Sequence, residues 1–518
     1  MEPLATDWLA RRAELTPDAA ALFSPSSLVT TYAAWNARVA QTAGFLAGKL
    51  GIGRGDRLAI LAQNSETYLD LVFACGRLGA VLECASWRLA VPELVALLGR
   101  SARKAFFYDD ASAAVVSALE AGQVALGTPI ALGRRHEPRH LHLAAREGAA
   151  LGPLTDAERP RQSDPWLLCH TGGSTGTPKA AVLTHANVTW NAINTVMTWG
   201  LRADDVAILD APLFHAGGLN VFTTPLVYAG GASIVCPRFD PERTFDLVAS
   251  GRPTLLFGVP SMLLALAEHP RWATADLARL RILITGGAPA PASLFARFQA
   301  KGAVLRLGYG LTEAGPNNFW LSDQAARQKP GRVGRPLLHV EHRIVDSNGQ
   351  DIDEPGIPGE LLLRGPHVMP GYADDAAATC AAIDAAGWLH TGDLAERDAD
   401  GDVAIAGRKK DLFISGGENV FPAEVESALS ELEAVVEAAV VPVPHARWGE
   451  VGLAFVVFRG DGAPAPELTT RLRARLAPFK VPHSFVTLPA LPKTSAGKVD
   501  RSRLVALARE HMSTGEPS

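Results

Sequence analysis

Strand-like and helix-like patterns alternate along roughly the first 310 residues of this chain of 518. Residues 56–61 read as a buried strand from their length and β-branching, and a helical pattern follows through Tyr68, Leu71 and Phe73. This alternation predicts an α/β fold with large doubly wound sheets of parallel strands. Ligands in such sheets bind at the carboxyl ends of the strands.

The pattern changes after residue 332 and changes back near residue 408. Short strands and tight turns, such as residues 398–401, predict a β-rich subdomain over about 332–407. The α/β pattern then returns for about a hundred residues, which is enough for a small domain. We therefore expect an N-terminal domain over residues 1–407 and a small mobile α+β domain over 408–518.

A glycine- and hydroxyl-rich loop separates two apolar runs in the N-terminal domain. Its sequence is Thr171, Gly172, Gly173, Ser174, Thr175, Gly176, Thr177, Pro178 and Lys179. Glycines allow a backbone to present successive N–H groups to an anion, and a lysine adds positive charge, so the loop suits phosphate. It is not a Walker loop, because Pro178 precedes the lysine and Ala180 follows it. A flexible surface loop is the alternative interpretation.

Two turns are expected side by side at one sheet edge. A strand over residues 280–285 leads into the turn 286–289, and a helix follows over 291–300. A second strand over 304–307 leads into residues 308–313. Parallel strands that neighbour each other open their carboxyl ends on the same edge, which predicts a shared ligand site.

Composition excludes several classes of protein. A net charge of −5 gives no electrostatic case for nucleic acid. Residues 211–236 carry no charged side chain, but repeated proline and glycine predict buried core and pocket wall, not a transmembrane segment. Five widely spaced cysteines without a CxxC pattern favour a reduced, cytoplasmic setting, and no basic and apolar leader is apparent at the N-terminus.

Six motifs occur in the order found in adenylate-forming enzymes, and this resemblance covers nearly the whole chain. They are Thr171–Lys179, Tyr309–Glu313, Thr391–Asp393, Gly407–Arg408, Gly416–Asn419 and Pro492–Lys498. That superfamily includes acyl- and aryl-CoA synthetases, nonribosomal adenylation domains and beetle luciferases. Residues 415–424 look most similar to bacterial fatty-acyl-CoA and feruloyl-type CoA ligases. The resemblance implies an ATP-dependent carboxylic acid–CoA ligase that forms an acyl-AMP intermediate.

The resemblance also implies roles in the first half-reaction, in which a carboxylate attacks the α-phosphate of MgATP. The glycine-rich loop would cradle the β- and γ-phosphates, Glu313 would contact Mg²⁺, and Thr312 would donate to the α-phosphate. Adenine would lie between Tyr309 and the backbone of Gly287, Ala288 and Pro289. Asp393 would accept from the ribose hydroxyls with the help of Arg408, and Lys498 would reach the substrate carboxylate. The alternatives are a helix-cap Glu313, a turn Asp393 and a surface Lys498.

In the second half-reaction, coenzyme A replaces Lys498 at the acyl group. The resemblance places a hinge at Lys410, within 408–411, about which the small domain swings. The hairpin glycines Gly416 and Gly417 would then let the pantetheine arm approach closely. Trp448 is expected along coenzyme A, although a core tryptophan is the equal alternative. Val481 and His483 stand where some relatives have basic residues.

The acyl pocket of relatives corresponds to segments that carry His215, Gly217, Phe257, Gly310 and Gly315. Malonyl-CoA synthetases place an arginine where Ala265 aligns, and amino-acid-activating domains place an aspartate where His215 stands. A charged tail would therefore be buried without a partner, which is costly. We expect a monocarboxylate with an uncharged aliphatic or aromatic tail, and His215 either as a pocket gate or as a core residue.

Other interpretations stay open at this stage. The chain differs from the common pattern at Gly172 and Ala180 in the phosphate loop and at Ala496 near the catalytic lysine. One rival is a stand-alone adenylating enzyme that loads a carrier protein, and another is a non-catalytic adenylate-binding protein. Luciferase-type oxidation is not excluded by the motifs. The sequence does not indicate an oligomeric state.

Overall fold

A computed structural model of the protein describes residues 3–135, 137–171, 179–445, 447–460, 465–494 and 498–514. No helix in these ranges combines the length and the apolar character that a membrane crossing requires. The charge-free segment 211–236 is instead largely buried and contains three short helical pieces, which confirms its interpretation as core and pocket wall.

The bounds of the elements follow in chain order. The strands β1 to β25 are Ala20–Phe23, Val29–Thr31, Arg57–Leu61, Val81–Cys84, Ala105–Tyr108, Thr128–Ala131, Leu141–His142, Pro165–Thr171, Lys179–Thr184, Val206–Leu209, Ala232–Val235, Leu255–Gly258, Ile282–Gly286, Leu305–Gly308, Phe319–Trp320, Arg335–Pro336, Glu341–Val345, Gly359–Arg364, Leu389–Arg397, Val403–Arg408, Phe413–Ser415, Glu418–Val420, Val435–His445, Gly449–Phe458 and Ser484–Thr487. The helices α1 to α16 are Trp8–Leu15, Tyr32–Leu50, Glu66–Leu78, Val91–Leu98, Ala113–Ala121, His185–Trp199, Ala216–Gly218, Thr224–Ala229, Pro241–Ala249, Pro260–Glu268, Ala292–Ala300, Asp323–Gln328, Ala376–Ala382, Pro422–Ser430, Ala465–Arg473 and Arg501–Thr514. Short 3-10 helices span Leu143–Arg146, Pro270–Thr274, Thr312–Ala314 and Pro478–Lys480, and a π-helix spans Leu219–Thr223.

Within the described ranges, two seven-stranded sheets dominate the N-terminal part. One has the order β14-β13-β12-β10-β11-β1-β2 and the other β7-β6-β5-β3-β4-β8-β9. Most neighbouring strands are parallel, which confirms the doubly wound α/β prediction. The pairs β1–β2 and β8–β9 are antiparallel edges, because a short turn or the phosphate loop joins them instead of a crossover helix.

Smaller antiparallel sheets follow along the chain. The strands β17-β18-β19-β20 form a four-stranded sheet over the part predicted to be β-rich. In the C-terminal subdomain, β22-β21-β24-β23 pair in that order and β25 pairs with β24 in parallel. The helices α14, α15 and α16 accompany this last sheet, so the α+β character of the segment is as predicted.

The helix that follows the phosphate loop shows how local sequence sets an element boundary. The Thr184 hydroxyl caps α6 by accepting a hydrogen bond from the Asn187 N–H. In return, Oδ1 of Asn187 accepts a hydrogen bond from the Thr184 N–H. The helix therefore begins at His185, slightly earlier than the spacing of apolar residues predicts. It ends at Gly200, whose φ of 64° suits glycine.

Candidate active site

The two predicted turns lie side by side at the edge of the first sheet. Strands β13 and β14 are parallel, with Gly286 opposite Gly308. A Cβ on Gly286 would stand 2.8 Å from the Gly308 carbonyl oxygen, so this close approach requires glycine. Gly287 and Pro289 are exposed beyond β13, and Tyr309 follows β14 directly. Gly287, Pro289 and Tyr309 thus lie together at the carboxyl ends of these two strands, where ligands bind in such sheets.

The buried residues Tyr309 and Asp393 form one polar group with the exposed Arg408. The Tyr309 hydroxyl donates to Oδ2 of Asp393 at 2.6 Å, and Arg408 Nε lies 2.6 Å from Oδ1. Asp393 is buried on β19, so it is not a turn residue. Burial raises the pKa of this carboxyl group, whereas Arg408 and the Tyr309 hydroxyl lower it. Both carboxylate oxygens thus have partners and keep a fixed orientation.

Glu313 lies in the one-turn 3-10 helix that follows this group. Its Oε1 accepts a hydrogen bond from the Tyr372 hydroxyl at 2.8 Å, and its carbonyl accepts from the Met369 N–H. The carboxylate does not cap the helix, which was the alternative interpretation. Thr312 begins the same turn and is half-buried.

Both ends of the phosphate loop are placed beside Glu313. Thr171 ends β8 and Lys179 begins β9, where the two residues pair. The Lys179 ammonium lies 5.1 Å from the centre of the Tyr372 ring. The predicted loop residues between them, Gly172, Gly173, Ser174, Thr175 and Gly176, lie outside the described residues.

Lys498 enters the same cleft from the C-terminal subdomain. It is close enough to Asp393, Glu313 and Arg408 for each of them to shift its pKa. The surrounding protein lowers the pKa of Lys498, and Arg408 adds to this effect. Its side chain nevertheless keeps access to solvent, because the cleft is open. Lys498 is thus an exposed lysine whose ammonium lies near three charged residues of the predicted site.

His215 is half-buried and lies close enough to Lys498 and Arg88 for their charges to act on it. Burial lowers its pKa to about 3, and the charges of Lys498 and Arg88 contribute to that shift. The imidazole is therefore neutral at physiological pH. Its buried Nε2 atom has no hydrogen-bond partner among the described residues. This position at the boundary of the cleft differs from that of a satisfied core histidine.

An apolar slot begins next to His215. A Cβ on Gly217 would lie 3.4 Å from the Phe257 ring, so the two residues form opposite walls. The other lining residues are uncharged: Ala207, Ile208, Leu209, Ala211, Gly218, Val221, Phe222 and Thr223. The cavity holds about 10 Å³, room for about one water molecule. A larger acyl group therefore requires movement of a wall, and Phe257 is only partly buried.

The predicted pocket glycines Gly310 and Gly315 adjoin the cleft by close backbone packing. A Cβ on Gly310 would meet the Pro316 backbone at 2.2 Å. Gly315 has a φ of 68°, and a Cβ there would lie 2.9 Å from Oδ1 of Asn191. Both positions thus exclude a side chain, and the buried Asn191, which the sequence did not single out, supports this turn.

The predicted coenzyme A contacts lie on a hairpin of the C-terminal subdomain. Gly416 and Gly417 both have positive φ, 61° and 92°, and join β21 to β22 in a tight turn that favours glycine. Trp448 packs against Gly416 and is 44% exposed, so it is not a core tryptophan. Arg447 lies over its ring at 4.5 Å.

Lys410 is exposed and separates two residues that bond to different parts of the protein. Its predecessor Lys409 contacts Glu360 of β18 at 2.8 Å and donates its N–H to the Gly392 carbonyl. Its successor Asp411 pairs with Arg501 of α16 at 3.2 Å. The connection between the N-terminal part and the C-terminal subdomain thus passes through Lys410.

The structure brings most of the predicted nucleotide and acyl residues to one cleft, and the hairpin at Gly416 lies on a separate loop. Sequence reasoning missed Tyr372, which touches both Glu313 and Lys179. Tyr372 lies in a connecting segment with no periodic pattern, 59 residues after Glu313. The contacts of Tyr372 with Glu313 and Lys179 become visible only in the tertiary structure, in which Tyr372 lies beside β9 of the second sheet.

Comparison with known proteins agrees with this geometry. Residues 9–373 match the model of the AMP-binding enzyme family, and residues 424–498 match that of the AMP-binding enzyme C-terminal domain. A feruloyl-CoA synthase from an Amycolatopsis species is 41% identical over 95% of this chain and 96% of its own length. An indoleacetate–CoA ligase from Aromatoleum aromaticum is 37% identical over 97% and 98%.

Solved structures give the same result at the level of the fold. ATP-bound MatB from Rhodopseudomonas palustris superimposes with a TM-score of 0.86 at 31% identity, covering 97% of this chain and 98% of that one. MenE from Bacillus subtilis, in complex with the acyl-adenylate intermediate OSB-AMP, has a TM-score of 0.84 at 29% identity, over 97% and 98%. The cleft and these likenesses together show that the chain belongs to the family of AMP-binding enzymes.

Proposed function

We propose that the protein is an ATP-dependent carboxylic acid–CoA ligase of the AMP-forming type. It joins a monocarboxylate to AMP, releases pyrophosphate, and then transfers the acyl group to the thiol of coenzyme A. The observation that carries this proposal is the convergence of Lys498, Glu313, Asp393 and Arg408 on one cleft. Its named relatives are CoA synthetases and ligases.

In adenylation, two anions must meet, so the task of the protein is charge neutralisation and alignment. In this proposal, the Lys498 ammonium bridges the substrate carboxylate and the α-phosphate, and Thr312 donates to the same phosphate. Asp393, held by Tyr309 and Arg408, accepts from the ribose. The groove between Tyr309 and residues 287–289 takes the adenine. Lys179 and the phosphate loop hold the terminal phosphates.

The residues present also fit Mg²⁺. This ion prefers one or two carboxylates together with phosphate oxygens, and Glu313 offers a carboxylate beside the phosphate loop. One of its oxygens is engaged by Tyr372, and no described residue bonds the other. When bound, the ion neutralises phosphate charge during the transfer.

Thioester formation requires that Lys498 leave the acyl group. We place the boundary between the two domains at residues 408–411 and the hinge at Lys410, since Lys409 and Asp411 are anchored on opposite sides. Rotation would bring the Gly416–Gly417 hairpin to the cleft. Its side-chain-free turn and the exposed Trp448 ring suit a narrow pantetheine arm.

The acid that fits this cleft best has an aromatic tail. The slot is uncharged, so a second carboxylate or an ammonium group would be buried without a partner. Its walls are the Gly217 backbone and the Phe257 ring, and a planar ring can stack against the latter once it moves. Feruloyl-CoA synthase and indoleacetate–CoA ligase are relatives named for aromatic acids.

The proposal is tested by pyrophosphate release with a panel of acids, with and without coenzyme A. The panel contains short, medium and long aliphatic acids, benzoates, arylacetates and cinnamates. We expect an aromatic acid to stimulate release and coenzyme A to accelerate turnover. If the acid stimulates pyrophosphate release but coenzyme A has no effect, the acceptor of the acyl group is a carrier protein and not coenzyme A. Absence of release with every acid would contradict the ligase proposal.

A further inference from the structure

Tyr372 stands between two groups of opposite charge in the cleft. Its hydroxyl donates to Oε1 of Glu313 at 2.8 Å, and its ring centre lies 5.1 Å from the Lys179 ammonium. Lys179 and Glu313 form no direct ion pair in the described part of the chain. One side chain therefore contacts both the metal-binding candidate and the phosphate-binding lysine.

The backbone holds Tyr372 firmly in this place. Residues 371–373 extend the second sheet beyond β9: the Val182 N–H donates to the Gly371 carbonyl, and the Ala373 N–H donates to the Ala180 carbonyl. The Tyr372 N–H donates to the Thr379 hydroxyl at 2.9 Å. Because Lys179 begins β9, the tyrosine and the lysine are fixed on adjacent paired segments.

Glu313 is attached to the same segment at two points. Its carbonyl accepts from Met369 at 2.8 Å, in addition to the bond from its carboxylate to Tyr372. A tyrosine hydroxyl, with an ordinary pKa of about 10, is protonated at neutral pH and is the donor in this bond. Oε1 of Glu313 is thus occupied, and no described residue occupies Oε2.

We propose that Tyr372 is a positioning residue that keeps Glu313 ready for Mg²⁺ and Lys179 ready for phosphate. Its hydroxyl fixes the carboxylate through Oε1, so that Oε2, which no described residue bonds, would be available to Mg²⁺. Its ring holds the ammonium by a cation–π contact and prevents the lysine from pairing with that carboxylate. This inference rests on the proposed ligase function and on Glu313 as the metal contact.

Two substitutions separate the two contacts. Tyr372→Phe keeps the ring and removes the hydroxyl, whereas Tyr372→Leu removes both contacts. The measurements are the Mg²⁺ concentration for half-maximal pyrophosphate release and the affinity for ATP by calorimetry, with Mg²⁺ and with a chelator. Tyr108→Phe is the matched control, since it also loses a buried hydroxyl bond, to His140.

We expect Tyr372→Phe to raise the half-saturating Mg²⁺ concentration by about tenfold and to leave ATP affinity in the chelator unchanged. Tyr372→Leu should weaken ATP binding in the chelator as well, because Lys179 then pairs with Glu313. An unchanged Mg²⁺ dependence in Tyr372→Phe would overturn the inference, and so would an equal shift in Tyr108→Phe. Neither result would affect the ligase proposal, which fails only if the unaltered protein releases no pyrophosphate.

Discussion

Lys498 is the residue that we propose to be needed most directly for the first half-reaction. It carries the positive charge that approaches the cleft from the C-terminal subdomain, and Asp393 and Glu313 both act on its pKa. Loss of one preorganised charge that stabilises a transition state costs about two to three orders of magnitude in rate. Lys498→Ala should therefore reduce acid-dependent exchange of pyrophosphate into ATP by about that factor.

A matched lysine provides the control for this prediction. Lys493 precedes Lys498 in the same sequence motif, but its side chain forms a surface ion pair with Glu437 at 2.5 Å. Lys493→Ala should leave exchange nearly unchanged, because surface pairs contribute little. Equal losses in both variants would mean that the loop, and not the Lys498 charge, carries the effect.

Gly217 tests the substrate preference at the same scale. The Cβ of Gly217→Ala would enter the slot 3.4 Å from the Phe257 ring. We expect the KM for the preferred aromatic acid to rise by about tenfold, since an added methyl group costs about 1–3 kcal/mol of fit. The KM for ATP should not change. A short aliphatic acid affected as strongly as the aromatic one would show that Gly217 does not line the acyl slot.

At the scale of an element, strand β10 is followed by a buried carboxyl group, that of Asp210, next to the apolar slot. Asp210 follows the strand and is 3% exposed. The Thr244 hydroxyl, the Ala211 N–H and the Arg243 charge lie close enough to lower its pKa, but burial outweighs them. Burial raises its pKa to about 7. The folded state thus keeps a proton that the unfolded chain releases above about pH 4.

The free energy of unfolding should consequently fall as pH rises from about 4 to 7, by at most about 1.4 kcal/mol per pH unit. Asp210→Asn removes this contribution. The loss of stability between pH 5 and pH 8 should therefore be smaller in this variant than in the unaltered chain. Denaturant unfolding at both pH values checks the sign. The exposed Asp204→Asn is the control, and an equal change in that variant would contradict the assignment.

At the scale of the whole molecule, the two half-reactions need two arrangements of the same parts. In the arrangement described, Lys498 occupies the cleft, and Arg459 of the C-terminal subdomain pairs with Glu268 of α10 at 2.6 Å. We propose that this is the arrangement for adenylation. In the same proposal, the hairpin at Gly416 takes the place of Lys498 for thioester formation.

Lys410→Pro should restrict that exchange, because proline fixes φ at the proposed hinge. The Lys410 N–H makes no hydrogen bond within the described ranges, so the substitution removes none. We expect pyrophosphate exchange to persist and acyl-CoA formation to fall by about tenfold or more. Lys410→Ala is the control and should retain both activities. Parallel loss of both half-reactions in the proline variant would argue against a hinge at this position.

Local pattern was sufficient for much of the fold and for the nucleotide end of the site. The alternation of strands and helices and the glycine turns at Gly286 and Gly416 each follow from backbone geometry within a few residues. The ordered motifs, by their resemblance to a family, also indicated Glu313, Asp393, Arg408 and Lys498. The exact strand edges shifted by one or two residues, because hydrogen bonds to neighbouring strands determine where each strand begins.

The sequence by itself determined the α/β architecture and the candidate chemistry, since both depend on residue type and short spacing. Only the tertiary structure decided that Trp448 is exposed and that Tyr372 joins Glu313 to Lys179. It likewise decided that Asp210 is buried, so that its pKa is raised. Such contacts join segments that are distant in the chain, and no local periodicity records which side chains the sheets bring together.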